Sequence, residues 1–85
     1  DGDQMEFTGV YPTLVVNHID VPGMILKVCE VFYRNNINIA FAKVYRSSKG
    51  SNAAMVFEVD SFIPKEIVEE IKKIPNINKV KAINL

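Results

Sequence analysis

The 85-residue chain is short of cysteine: it has one, Cys29. It can close no internal disulfide and build no cysteine-rich metal or iron–sulfur site from its own residues. Such usage suits a cytoplasmic protein. Net charge is missing too, because ten Lys and Arg balance ten Asp and Glu. Nucleic-acid binding draws heavily on phosphate neutralisation, so nucleic acid is not expected as a partner. No apolar run approaches the ~20 residues that span a bilayer, which argues against a membrane partner. The start carries no signal-peptide pattern, and no glycine-rich phosphate loop occurs. Histidine appears once, as His18. With Asp20 it makes two potential metal ligands, fewer than a site needs. Nucleophilic catalysis requires Ser, Cys or Thr beside a base oriented by a third group. His18 has only Asp20 to orient it, and Cys29 lies inside a helical pattern, so no enzyme activity is expected of this chain itself.

What is present suits one folded domain: 48% hydrophobic against 24% charged residues. The chain begins with Asp1, which reads as a piece of a longer protein. Residues 1–9 are polar apart from Met5 and Phe7 and read as a linker from a preceding domain; residues 10–85 read as the domain.

Residues 11–17 combine aromatic and β-branched residues and predict a first strand. A helix should follow, with Asp20 as its cap and Pro22 in its first turn. Ile25, Val28, Cys29 and Phe32 fall at i, i+3, i+4 and i+7 and predict its buried stripe. Asn35 and Asn36 suit its end. Residues 37–47 predict a second strand. Its facing is ambiguous, because Ile37, Ile39 and Phe41 alternate with Ala40, Ala42 and Val44 and both sets are apolar. A bulge or burial on both faces would account for that. The polar run 48–51 predicts a hairpin turn into a third strand, 52–60, with Ala53, Met55, Phe57 and Val59 on one face. Pro64 marks the first turn of a second helix, with Ile67, Ile71 and Ile74 as its stripe and Lys72 and Lys73 in its last turn. Pro75 stops it, and residues 77–83 predict a fourth strand.

The order β-α-β-β-α-β is the α+β, ferredoxin-like plan: a four-stranded antiparallel sheet with both helices on one face. Thr13, Val15, Ala54 and Val56 should lie on the opposite face. An uncovered apolar face on so small a domain implies oligomerisation or docking. Two binding roles known for this plan fail on residue content. The third strand carries no basic residue for RNA, and there is no cysteine pair for a metal carrier.

The stretch Asn17-His18-Ile19-Asp20-Val21-Pro22-Gly23-Met24-Ile25 places polar residues where a strand gives way to a helix. The first amides of a helix lack intrahelical partners and attract anions, including a small molecule's carboxylate. Each residue also has a plainer role: His18 as a hydrogen-bonded structural residue, Asp20 as a cap, Gly23 in a tight loop, and Asn38 satisfying backbone groups at a strand start. Tyr45 and Arg46 read as a solvated face.

The same stretch, with Ile37-Asn38-Ile39-Ala40 and Ala54-Met55-Val56-Phe57-Glu58-Val59-Asp60, resembles ACT domains, the small amino-acid-sensing modules attached to metabolic enzymes. The resemblance covers about residues 10 to 85. Within that family the Tyr11-Pro12-Thr13 entrance, the Val44-Tyr45-Arg46 segment and Phe62-Ile63-Pro64 look like the C-terminal domain of the β subunit of bacterial iron–sulfur L-serine dehydratase. The tail of D-3-phosphoglycerate dehydrogenase is the competing likeness. It shares the His-x-x-x-Pro-Gly spacing and the Asn-Ile-Ala strand.

The resemblance implies an amino-acid effector, L-serine or a relative, held between two copies of the domain. The expected ligand-binding residues are His18, Asp20, Val21, Pro22, Gly23, Met24, Asn38 and Ile39. An ionised Asp20 would face the ammonium group and the Gly23 and Met24 amides the carboxylate. The dehydrogenase loop often has Asn where this chain has Asp20. The resemblance further implies a homodimer through sheet or helix edges. The catalytic subunit or domain of the parent would hold a 4Fe-4S cluster, and this chain would hold no cofactor.

Overall fold

The structure is a computed structural model that describes residues 11–46 and 52–84. The expected linker and the hairpin turn at 48–51 lie outside the described residues. The order is β1 (Thr13–Ile19), α1 (Met24–Arg34), β2 (Ile39–Arg46), β3 (Asn52–Val59), α2 (Lys65–Lys72) and β4 (Ile77–Ile83). The strands form one sheet in the order β2-β3-β1-β4, with every neighbouring pair antiparallel. This is the expected ferredoxin-like plan.

Alternation sets the two faces. Leu14 and Val16 on β1 are fully buried and stand in register with Phe57 and Met55 on β3 and with Ala82 and Val80 on β4. These positions face the helices. The α1 stripe is Met24, Val28, Val31 and Phe32, which turns the helix from the expected phase: Ile25 is exposed and Cys29 only half-buried. Both sets fit helical spacing, and packing on the sheet selects the observed one; the helix start differs as well. Gly23 sits at φ +85°, a left-handed conformation that cannot belong to a right-handed helix, so the first helical residue is Met24 and Pro22 stays in the preceding turn. The α1 end is as expected, with Asn36 left-handed at φ 58°. Helix α2 begins one residue later than Pro64, whose carbonyl accepts the first helical hydrogen bond. Ile67 and Ile71 are buried, while Ile74 packs on the core from just beyond the helix end.

The Phe32 and Phe57 rings meet at 5.4 Å between centroids, joining α1 to the sheet. Each such burial contributes roughly 1.5–3 kcal/mol. Arg34 donates to Glu70 at 2.6 Å and ties the helices together at the surface. Asn84 exchanges two hydrogen bonds with the backbone of Ile63, at 2.8 and 3.1 Å, so the end of the chain anchors the entry to α2.

The ambiguity in β2 resolves as a bulge. Ile39 pairs with Val59, but Phe41 pairs with Glu58, so the register slips between them. Ile39 and Val44 both pack against the core, whereas Phe41 points the other way and is 42% exposed. The face opposite the helices carries Thr13, Val15, Ala54 and Val56, with Lys43 and Lys81 at its edges in the central row. The apolar centre is less open than expected. Thr13, Val56 and Glu58 are buried, and Val15 and Ala54 are half-buried.

Candidate functional site

An open groove of about 390 Å³ lies where β1 gives way to α1, at the lower end of the ~300–1,000 Å³ usual for small-molecule sites. Its lining includes His18, Asp20, Val21, Pro22, Gly23 and Met24, six of the eight expected residues. Val44, Arg46 and Met55 close it from the sheet, and Ile25 from the helix.

His18 ends the inward row of β1 and is 2% exposed. Its Nδ1 lies 2.9 Å from the carbonyl of Ile19. A carbonyl only accepts, so Nδ1 carries a proton, and in the neutral ring Nε2 presents a lone pair. That Nε2 is buried and has no hydrogen-bond partner among the described residues. A buried acceptor without a donor costs free energy, about 1–3 kcal/mol, and a ligand that donates to it recovers that energy.

Asp20 does not cap α1. The N-cap is Gly23, with no side-chain hydrogen bond and no acidic residue in the first turn. Asp20 lies too far ahead of Met24, at the centre of a tight turn in which the Val21 amide donates to the Ile19 carbonyl at 2.9 Å. Its carboxylate instead meets Arg46, with Oδ2 3.1 Å from Nε. The helix start is thus open to an anion. A cation, an anion, an unpaired acceptor and free amides surround one groove with apolar walls. That set suits recognition of a small charged molecule. It offers no nucleophile with a base.

Asn38 and Ile39 are elsewhere. Ile39 opens β2 and Asn38 precedes it, at the far end of the sheet, about 20 Å away along a seven-residue strand at ~3.3 Å per residue. Asn38 donates to Asp60 at 2.8 Å, and Ile39 packs on the core.

Arg46 is the site residue that sequence reading placed on a solvated face. Its signal was the pair of competing apolar registers in β2: with Ile39 on the core, only a bulge puts Val44 and Arg46 on the helix side as well. A 4Fe-4S cluster does not fit this chain. Cys29 is its one cysteine, and no group of three His, Cys, Asp or Glu gathers among the described residues. Among those residues no helix is long and apolar enough to cross a membrane.

The family model of the ACT domain matches residues 13–76. The chain belongs to the ACT domain family. This ACT domain is 39% identical over 85 residues to D-3-phosphoglycerate dehydrogenase of Methanocaldococcus jannaschii, a match that covers 100% of the chain and 16% of that enzyme. It is 35% identical over 83 residues to the probable L-serine dehydratase β chain of Bacillus subtilis, covering 98% of the chain and 38% of the relative. The chain therefore spans less than half the length of either. Both enzymes that its motifs resemble are represented. The fold matches the crystal structure of the ACT domain from GTP pyrophosphokinase of Chlorobium tepidum with a TM-score of 0.63 at 14% identity, covering 85% of this chain and 95% of that one.

Proposed function

We propose that this ACT domain is a regulatory module that binds L-serine or a closely related amino acid in the groove at the β1–α1 loop. The observation that carries the reading is the buried, unpartnered Nε2 of His18 beside an uncapped helix start. Asp20 accepts from the ligand ammonium, the Gly23 and Met24 amides donate to its carboxylate, and His18 Nε2 accepts from its hydroxyl. Val21 and Pro22 form the wall.

A second copy completes the pocket. Strand β2 is an edge strand, and two-fold antiparallel pairing of two such edges sets the start of one β2 against the end of the other. Asn38 and Ile39 of one copy then stand beside Asp20 and Arg46 of the other, which accounts for ligand residues at opposite ends of one sheet. Helix α1 exposes Leu26 and Tyr33, 71% and 81%, to such a partner. A ligand held by both copies stabilises one dimer arrangement, and the host enzyme's state follows by linkage.

The Tyr11-Pro12-Thr13 entrance favours the L-serine dehydratase β chain as host. Deamination of serine to pyruvate would then belong to a cluster-bearing catalytic part outside this domain. The 39% identity to D-3-phosphoglycerate dehydrogenase supports that enzyme as the second reading. Assays of the intact protein for L-serine deamination and for D-3-phosphoglycerate oxidation separate the two.

The effector reading is tested by titrating the intact protein with L-serine and the other amino acids in a calorimeter. Saturable binding of at least one is expected. A stable dimer that binds none at millimolar concentration would show a subunit-assembly domain without an effector.

A further inference from the structure

The groove holds one cation and one anion among its lining side chains, Arg46 and Asp20, and they are already paired with each other. We propose that Arg46 is a specificity-determining residue: it anchors the ligand carboxylate, and its ion pair with Asp20 gives way to two ion pairs when a molecule carrying both charges binds. The proposal rests on the reading of this groove as an amino-acid site.

The pair is made through Nε of Arg46. Nε supplies one of the five N–H groups of the guanidinium, so donors remain for a carboxylate. A guanidinium binds a carboxylate through two parallel N–H groups, which helix amides alone cannot offer in that planar form. The Arg46 side chain is 70% exposed and that of Asp20 25%. An ion pair so open to water is weak, and little is lost when it divides.

Charge balance then sets selectivity. A zwitterion replaces one ion pair with two, Asp20 to ammonium and Arg46 to carboxylate. An amine without a carboxylate takes Asp20 and strands Arg46. A carboxylate without an amine strands Asp20. Each makes one of the two charge contacts and forgoes the other, so it binds less tightly than the zwitterion. The bulge in β2 underlies this device, because it turns Arg46 to the same side of the sheet as Val44 and Met55.

The test uses the intact protein, its Arg46→Gln and Arg46→Lys variants, and two probes, L-serine and ethanolamine, which lacks the carboxylate. Circular dichroism melting first checks that the variants fold, as an exposed side chain leads one to expect. The parent should bind L-serine at least thirtyfold more tightly than ethanolamine. R46Q should lose tenfold or more for L-serine and little for ethanolamine, with R46K intermediate. If R46Q binds L-serine within twofold of the parent, or more tightly, Arg46 is no carboxylate anchor although the site reading stands. If the parent binds neither L-serine nor any other amino acid, both the site reading and this proposal fall.

Discussion

Ile39 faces Val59 while Phe41 faces Glu58, so two steps along β2 advance the pairing by only one along β3. That slip decides which half of β2 belongs to the core. Without it, Phe41 would join the core side and Val44 and Arg46 would leave the groove.

The slip makes opposite demands on two apolar residues. Val44→Asp puts an unpaired carboxylate against the core and should cost about 2–3 kcal/mol. Phe41→Ser, at a 42% exposed position, should cost less than about 1 kcal/mol. Thermal melts give the answer directly, since about 1 kcal/mol moves Tm by roughly 4–8 °C in a domain of this size. A larger loss for Phe41→Ser than for Val44→Asp would mean that the strand runs straight.

The imidazole of His18 should be the Nδ1–H tautomer in the ligand-free protein, because its partner at that nitrogen is a carbonyl. Long-range proton–nitrogen NMR of the ring distinguishes the two nitrogens. Adding L-serine should then move the Nε2 resonance most, since that lone pair gains a donor. A neutral ring with its proton on Nε2 instead of Nδ1 would contradict the geometry.

Gly23 occupies φ +85°, and a Cβ placed there would meet nothing within 4 Å. The cost of Gly23→Ala is therefore backbone strain alone, about 1–2 kcal/mol. Gly23→Asn should cost less, as Asn tolerates the left-handed region. Denaturant melts of the two variants should rank them in that order. Ligand affinity should fall more for Ala, because relief of the strain moves the amides at the helix start.

The carboxyl of Glu70 is held below its usual value of 4.5 chiefly by the hydrogen bond from Arg34. A depressed folded value adds stability that is fully present above about 4.5 and disappears as pH falls through the lower folded value. Glu70→Gln should remove that part of the acid sensitivity: between pH 6 and pH 3 its Tm should fall less than the parent's. The side chain is exposed, so the difference should be small and should shrink further in high salt.

Most of the fold was legible along the chain because its signals are local. Alternation over residues 77–83 marked β4 to the residue, and Asn36 marked the end of α1 through its tolerance of positive φ. The loop residues His18, Asp20 and Gly23 were legible as one polar cluster where a strand meets a helix. Their roles were not. Asp20 in sequence is a well-placed cap, and nothing nearby says that it will prefer a guanidinium 26 positions on. The α1 stripe was half legible: Val28 and Phe32 are buried as expected, but Met24 and Val31 stand in place of Ile25 and Cys29, because both sets fit helical spacing and packing on the sheet chooses between them.

By itself, then, the sequence determined the β-α-β-β-α-β order, the helix-facing rows of β1 and β3 and the location of the polar loop, since each depends on neighbours a few residues apart. Tertiary structure alone decided that β2 slips at Ile39, that Arg46 meets Asp20, that the Nε2 of His18 is buried with no donor among the described residues, and that Asn38 lies at the far end of the sheet. Those facts depend on how strands from distant parts of the chain register against one another. A one-residue change in register reverses every side chain after it, and periodicity within a single strand cannot report that change.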